Sequence, residues 1–550
     1  MEKRLLIAIV LSFVVIFAYQ ALFIKKVPPP TEPVQEPLPQ TEQPLPKEFP
    51  ETESLPESQV ETKPQEKPDF QPVSESVEEK IVVDTTLFRA EWTNRGAVLK
   101  SWRLKVYTDE NEEPLELVPA QAADLGIYPF ALNTDDPEFN AQINTALYRT
   151  SPASLVLQDG ETGTVSFRFT DENENRVEKT LVFTGGEYTF DIEIKAWKNG
   201  RAVETRLSWG PGFGNPSEEE IKRRFGSSPG VAVYAGDKVH RIEEKKYKPE
   251  TGAFNFVRWA AYEDNYFAAL FLTDPQKTST LFRREEADQT PYFTLTLNHP
   301  VRGYIGPKDI DELTEFGGDA KSLIKFGFFG FIAEILLRAI KAIHNAVPNW
   351  GFSIIILTIL IKIIFFPLTY SSTKSMAKMQ ELQPKVKALR AKYKKAKQDI
   401  AQRRKMNEEM MKLYKEHGVN PAGGCLPMLI QLPIFWGFFR MLLISIEFRQ
   451  SPFMLWINDL SVKDPYYVTP ILMGVTQFIS QKMTPTSADP TQQRMMLIMP
   501  VVMTIFFMNF QSGLVLYWLT NNILQIGQQY IMNRFLHKKK SETHGKKRKK

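Results

Sequence analysis

Residues 350–372 read WGFSIIILTILIKIIFFPLTYSS. Gly351 to Leu368 is an almost unbroken apolar run, about long enough to cross a bilayer as a helix. One full charge, Lys362, lies inside it, with Thr358 one turn earlier on the same face. A lysine that deep in hydrocarbon costs a few kcal/mol even on insertion scales, so such residues normally face a bundle interior or a watered cavity. The bland alternative is snorkelling, in which the long stem carries the ammonium to the interface nearer Pro367. Both readings are open at this point. The segment itself reads as a transmembrane helix over 350–370.

Working outward, charge is segregated. The 550 residues carry a formal net charge of only +4, yet the stretch before residue 80 is acidic and proline-rich. The stretch after residue 371 and the C-terminal tail are strongly basic. One cysteine, Cys425, excludes an intrachain disulfide and a cysteine metal cluster. A chain this long exceeds one compact domain.

Residues 1–24 read as a transmembrane signal anchor. Lys3 and Arg4 precede a run nearer a span than a signal-peptide core, and Lys25, Lys26 and three prolines follow instead of a small-residue cleavage site. A cleaved signal peptide is the alternative. The positive charges place the N-terminus in the cytoplasm. Residues 25–79 are rich in Pro, Glu, Gln and Ser and poor in large apolar residues, the composition of a disordered linker. Residues 80–312 alternate instead, as in Val165-Phe167-Phe169, Phe190-Ile192-Ile194 and Phe293-Leu295-Leu297. Turn pairs such as Asp159-Gly160 and Gly185-Gly186 separate the runs, which predicts an all-β, mostly antiparallel sandwich outside the membrane. Its carboxylates show no spacing that argues for glycosidase chemistry.

Residues 318–347 predict an amphipathic helix in the interface plane, with Glu334, Arg338 and Lys341 on one face. A helix packed on the β domain is the other reading. Residues 371–420 form a basic cytoplasmic loop by the charge rule. Within it Met376, Met379, Leu382 and Val386 recur at helical spacing, and Met406, Met410 and Leu413 repeat the pattern in a second helix. Together they predict a helical hairpin turning near 397–402, able to touch anionic lipids, ribosomal RNA or acidic protein. A merely solvated charged face fits equally.

Further spans are predicted at 424–446 and 466–483, joined by an external loop at 447–465. A short cytoplasmic connection, 484–494, follows. The last apolar region is too long for one crossing and breaks at Gln511-Ser512-Gly513, giving spans at 495–510 and 514–532 before a basic tail at 533–550. Cytoplasmic termini require an even number of crossings, and this count is six. The fold class is therefore a polytopic α-helical membrane protein of six transmembrane helices with a large all-β external domain.

The spans hold few polar groups: Thr358, Lys362, Gln431, Gln477, Asn521 and Gln525. Tyr517, Asn521, Gln525 and Gln528 share a stripe of the last helix. Helix–helix glue explains isolated glutamines. A stripe facing an unpaired lysine points to water in a groove. Energy-coupling motifs are missing: no G-x-x-x-x-G-K-[ST] loop, no H-E-x-x-H and no chain of membrane carboxylates. Neither an enzyme nor a cofactor or metal is expected, and nothing points to DNA.

At these residues the chain resembles the YidC-type membrane protein insertases, in the long form of Gram-negative bacteria. The carriers are NWGFSIIILT, FPLTYSSTKSMAKMQELQPK, NPAGGCLPMLIQLPIFWGFFRML, DPYYVTPILMGVTQFISQKM and SGLVLYW. The likeness is most specific from Trp350 to Tyr530 and co-linear elsewhere. It implies an inner-membrane protein with a periplasmic β-supersandwich and a five-helix insertase core around a hydrophilic groove open to the cytoplasm. It also implies insertion and folding of nascent membrane proteins, alone or with the Sec translocon. The ribosome and a targeting receptor would meet the hairpin, at Met376, Met379, Leu382, Pro384 and Lys385, and the basic tail; anionic lipids are further partners. The family's groove cation, usually Arg, falls on Lys362, which keeps the charge but not the bidentate geometry. Its aromatic client-contact pair falls on Tyr517 and Trp518, the second commonly Tyr. The competing class is a solute or ion transporter using the same groove, which needs a through-pathway and an ion site for which no residues stand out.

Overall fold

The computed structural model describes residues 72–215, 229–276, 278–287, 289–393, 399–418, 426–483 and 490–547. The chain divides into two compact units, Met1–Asp69 and Phe70–Lys550. The expected anchor and nearly all of the expected linker lie outside the described residues.

Among the described residues, twenty strands between Lys80 and Pro307 form sheets of five, ten and five strands, antiparallel but for the pairing of Lys80–Asp84 with Ser154–Val156. Side-chain alternation explains why. In Arg176–Thr184, Val177, Lys179, Leu181 and Phe183 point inward while their neighbours are only partly covered. The next strand, Thr189–Lys198, sets Phe190 opposite Phe183 and Ile192 opposite Leu181. Aromatic rings fill the interior, with Phe88 stacked on Trp102 at 4.1 Å and Trp92 edge-on to Phe130 at 4.6 Å. Burying such rings at ~25 cal/mol per Å² is the main source of stability for a domain without disulfides.

Helices are numbered in chain order: α1 Gln121–Leu125, α2 Pro137–Thr145, α3 Ile310–Phe316, α4 Gly330–Ala346, α5 Trp350–Glu381, α6 Gln383–Lys392, α7 Ile400–Glu416, α8 Leu426–Ile444, α9 Val468–Met483, α10 Pro490–Phe507 and α11 Ser512–Lys547. The helices depart from the sequence reading at four places. The expected helix over 318–347 starts at Gly330. Gly317, Gly318, Asp319 and Gly327 all have positive φ, so residues 318–329 form a 3-10 turn and a strap instead. Helix α4 buries Ala333, Leu336, Leu337 and Ile340, packing chiefly on α8 and α5 rather than on the sheets. Phe328 and Phe331 are left almost fully exposed.

Helix α5 does not end at residue 370. No glycine or proline interrupts Ser371 to Glu381, so the helix continues into the expected hairpin, and Pro367 is accommodated inside it. The hairpin is completed by α6 and α7, tied by Lys392 to Glu409 at 3.0 Å and by the Tyr393 hydroxyl donating to Glu409 at 2.8 Å. Helix α10 is offset from the expected 495–510, and α11 runs on through most of the expected tail. The break between them is held from below. Ser512 and Gly513 donate their amides to Val462 and Leu460, at 2.7 and 3.0 Å.

Among the described helices only α5 is both long and apolar enough to cross a membrane by length and composition; Gln431–Ile444 and Leu497–Phe507 are shorter apolar stretches. The structure thus has a β-rich domain and a helical core.

Charged contacts join the two parts. Lys341 of α4 pairs with Asp309 at 3.2 Å, with Asp311, and with Glu447 beyond α8 at 3.3 Å. Glu447 is only 6% exposed, and burial, aided by Asp309 and opposed by Lys341, pushes its carboxyl up to about 7. The folded state therefore holds a proton that the unfolded chain releases near pH 4.5, so stability falls as pH rises toward 7. Glu447→Gln removes this slope. Relative to wild type, the variant is expected to gain about 2 kcal/mol on going from pH 5 to pH 8. Thermal unfolding at both values checks it, and a larger loss at pH 8 would mean the Lys341 ion pair outweighs desolvation.

Candidate functional site: a polar seam along the last helix

Helix α11 is the hub. Lys362 of α5 donates from Nζ to Gln525 Oε1 at 3.0 Å. Gln431 of α8 donates its amide to the Tyr517 hydroxyl. Trp518 Nε1 donates to Gln477 Oε1 of α9 at 3.2 Å. Six of the eight expected groove residues thus form three pairs, each joining α11 to a different helix.

The other two behave differently. Thr358 is 1% exposed and returns its hydroxyl to the Ile354 carbonyl at 2.7 Å, so it satisfies itself within α5. Asn521 is half-buried and has no described hydrogen bond.

Local packing fixes these positions. Tyr517 is buried, its ring stacked on Phe438 at 4.1 Å. Trp518 stands edge-on to Phe435 at 5.0 Å and tilted against Phe507 at 5.3 Å. Helix α9 is oriented by Asp464, whose carboxylate accepts from the Thr469 amide and hydroxyl at 2.7 Å each and from Trp456 Nε1 at 3.1 Å. Lys362 is half-buried, and its only described partner is the neutral Gln525 oxygen. A dipole orients the cation without neutralising it, and in a medium of low dielectric its field reaches further than in water.

Two polar residues escaped the sequence reading. Asn522, 3% exposed, donates to the Met473 carbonyl at 3.2 Å and to Thr476 Oγ1 at 3.4 Å. Gln529, 1% exposed, donates to Asn533 at 3.0 Å while its Oε1 has no partner. They lie seven apart on the stripe beside the expected one. That spacing was the available signal.

In the hairpin, Met376 and Met379 are half-buried and Leu382 is buried, while Pro384 and Lys385 are exposed; Lys385 Nζ lies 2.9 Å from His417 Nε2. Two clefts lie away from the seam. One of about 590 Å³ lies on the five-stranded sheet that includes Thr290–Asn298; the other, of about 40 Å³, is where the β domain meets α8.

A family described as 60Kd inner membrane protein matches residues 342–540, and one described as YidC periplasmic domain matches residues 80–339. A relative from Syntrophus aciditrophicus, named membrane protein insertase YidC, is 38% identical over 97% of this chain and 100% of its own length. One of the same name from Geobacter sulfurreducens is 39% identical over 97% and 98%. A solved structure of an active YidC insertase with its first transmembrane domain resolved aligns at 21% identity over 84% of this chain and 95% of that one, with a TM-score of 0.35. These relatives give the transporter alternative no support.

Proposed function

We propose that this chain, which belongs to the YidC family of membrane protein insertases, moves nascent transmembrane segments from the cytoplasm into the inner membrane. The observation that carries the mechanism is the Lys362 cation, held by Gln525 at 3.0 Å and by no carboxylate among the described residues. In this reading six segments cross: 1–24, 350–370, 424–446, 466–483, 495–510 and 514–532. Both termini are cytoplasmic and the β domain is periplasmic.

The hairpin around Met376, Met379, Leu382, Pro384 and Lys385 captures a client, with the ribosome, a targeting receptor, the Sec translocon and anionic lipids as partners. The client's short polar segment enters a groove beside α11. There Lys362, Gln525 and Asn521 replace part of its lost hydration, which is the main barrier to moving polar backbone into lipid. Gln477 holds Trp518 on the groove wall, where its half-buried ring guides the apolar segment sideways, while Tyr517, buried against Phe438 and tied to Gln431, backs that wall. Each large apolar residue that reaches hydrocarbon returns roughly 0.3–0.6 kcal/mol on insertion scales, so a client span drives its own entry without nucleotide. No bond is made or broken.

The test is insertion of a short single-span client into proteoliposomes containing only this protein, scored by protease protection. Protection that depends on the protein is the expected result. Equal protection in empty liposomes and proteoliposomes would remove independent insertase activity from this chain.

A further inference from the structure

The strap at 318–329 is gripped from both sides. Arg241, on strand Lys238–Glu243, donates from Nη2 to the Ser322 and Leu323 carbonyls at 2.8 Å each. Arg440, one turn before the end of α8, donates from Nε to the Phe326 carbonyl at 3.1 Å and also to the Lys325 carbonyl. Between these two guanidinium groups lies the cleft of about 40 Å³, and its charges do not balance. Arg241, Lys308, Lys325 and Arg440 line it against Glu243 and Glu263.

Glu263 is shared by Arg241 at 3.3 Å and Lys308 at 2.9 Å. Glu243 pairs with Lys246 at 2.7 Å. Neither Lys325 nor Arg440 forms an ion pair among the described residues, and the Lys325 side chain is exposed. Partial desolvation, with the Arg241 and Arg440 charges acting against those of Glu243 and Glu263, holds the Lys325 ammonium below its usual range. Cations kept together at a cleft mouth are most simply offset by an anion. Planar guanidinium groups and a mobile ammonium suit phosphate oxygens.

The size and place of the cleft narrow the ligand. The cleft is small, about 40 Å³, so it admits phosphate oxygens while the rest of the ligand stays outside. With α8 read as a span, Arg440 and Ile444 lie near its external end, at headgroup depth. We propose that this cleft seats the phosphate of an anionic phospholipid of the outer leaflet and so fastens the β domain to the membrane surface. The proposal rests on the reading of α8 as a span, and not on insertion activity.

The test titrates the full chain in neutral detergent with short-chain phosphatidylglycerol, short-chain phosphatidylcholine or inorganic phosphate, with bound ligand read by native mass spectrometry. Wild type is expected to prefer phosphatidylglycerol, and Lys325→Ala and Arg440→Gln each to weaken it about tenfold, as for loss of one charge-assisted hydrogen bond. Lys325→Arg is expected to retain it. Because Lys325 is exposed, its variant keeps the test valid if Arg440→Gln disturbs the junction. Unchanged phosphatidylglycerol affinity in Lys325→Ala overturns the proposal. Inorganic phosphate binding as tightly as the lipid overturns the lipid source and leaves a free-phosphate site. A Lys325→Cys variant tests the membrane reading separately. Thiol labelling from the periplasmic side supports it, and protection there overturns it whatever the titration in detergent gives.

Discussion

Lys179→Met is expected to destabilise the β domain by about 3 kcal/mol or more, since three buried carbonyls lose this donor at about 1–3 kcal/mol each. Lys179 points into the sandwich from the middle of Arg176–Thr184 and is 2% exposed. Its ammonium donates to the carbonyls of Gly96 at 3.0 Å, Ala97 at 2.9 Å and Phe130 at 2.7 Å. All three acceptors belong to residues with positive φ: 70° at Gly96, 51° at Ala97 and 71° at Phe130. For Ala97 and Phe130 that conformation costs roughly 1–2 kcal/mol each, so the lysine secures turns that disfavour themselves. At Gly96 only glycine fits, since a Cβ would strike the Asn144 carbonyl. Methionine keeps the stem and removes the donors, which leaves three carbonyls buried without this partner.

Denaturant unfolding followed by tryptophan fluorescence reads the effect, because Trp92, Trp102, Trp209 and Trp259 are buried in the same core. A loss below about 1 kcal/mol, the net value of one ordinary hydrogen bond, would show that the turns hold without the pin. Burial pulls the Lys179 pKa from 10.5 down to about 7. Between those values the unfolded chain binds a proton the folded one does not, so this lysine's contribution rises with pH across that window and is flat below it. The methionine variant lacks that slope.

Lys362→Ala is expected to lower client insertion by roughly tenfold or more, with Lys362→Arg close to wild type, if the positive charge in the span does the work. Arginine preserves charge and reach, whereas alanine leaves Gln525 facing an apolar wall. Gln525→Leu keeps the charge and loses only its orientation, so an intermediate loss of a few-fold is expected, in line with ~1 kcal/mol for a neutral hydrogen-bond partner. Protease-protected insertion in proteoliposomes, normalised to the amount of reconstituted protein, measures all three. Full activity of Lys362→Ala would make Lys362 a snorkelling residue and move the work to Asn521, Gln525 and Trp518.

The sequence reading succeeded where a period was enough. Two-residue alternation located inward strands such as Thr162–Thr170 and Thr290–Asn298, and the Gln511-Ser512-Gly513 interruption marked the place where α10 gives way to α11. It failed where long-range partners decide. Lys179 carries no local signal of its role, because the carbonyls that hold it come from residues 96, 97 and 130. Nothing local ends α5 at residue 370, so a change of polarity was mistaken for a change of structure. Three pairs converging on α11 were also illegible, since a stripe shows which residues share a face and not which helix that face meets. Thr358 has the right face and the wrong neighbour, its own helix.

The double grip on the strap has a mechanical consequence. Arg241 and Arg440 hold the same short stretch of backbone, one from the β domain and one from α8, so a pull on the β domain reaches α8 across side chains before it reaches α4 along the chain. The covalent link is therefore shielded from load.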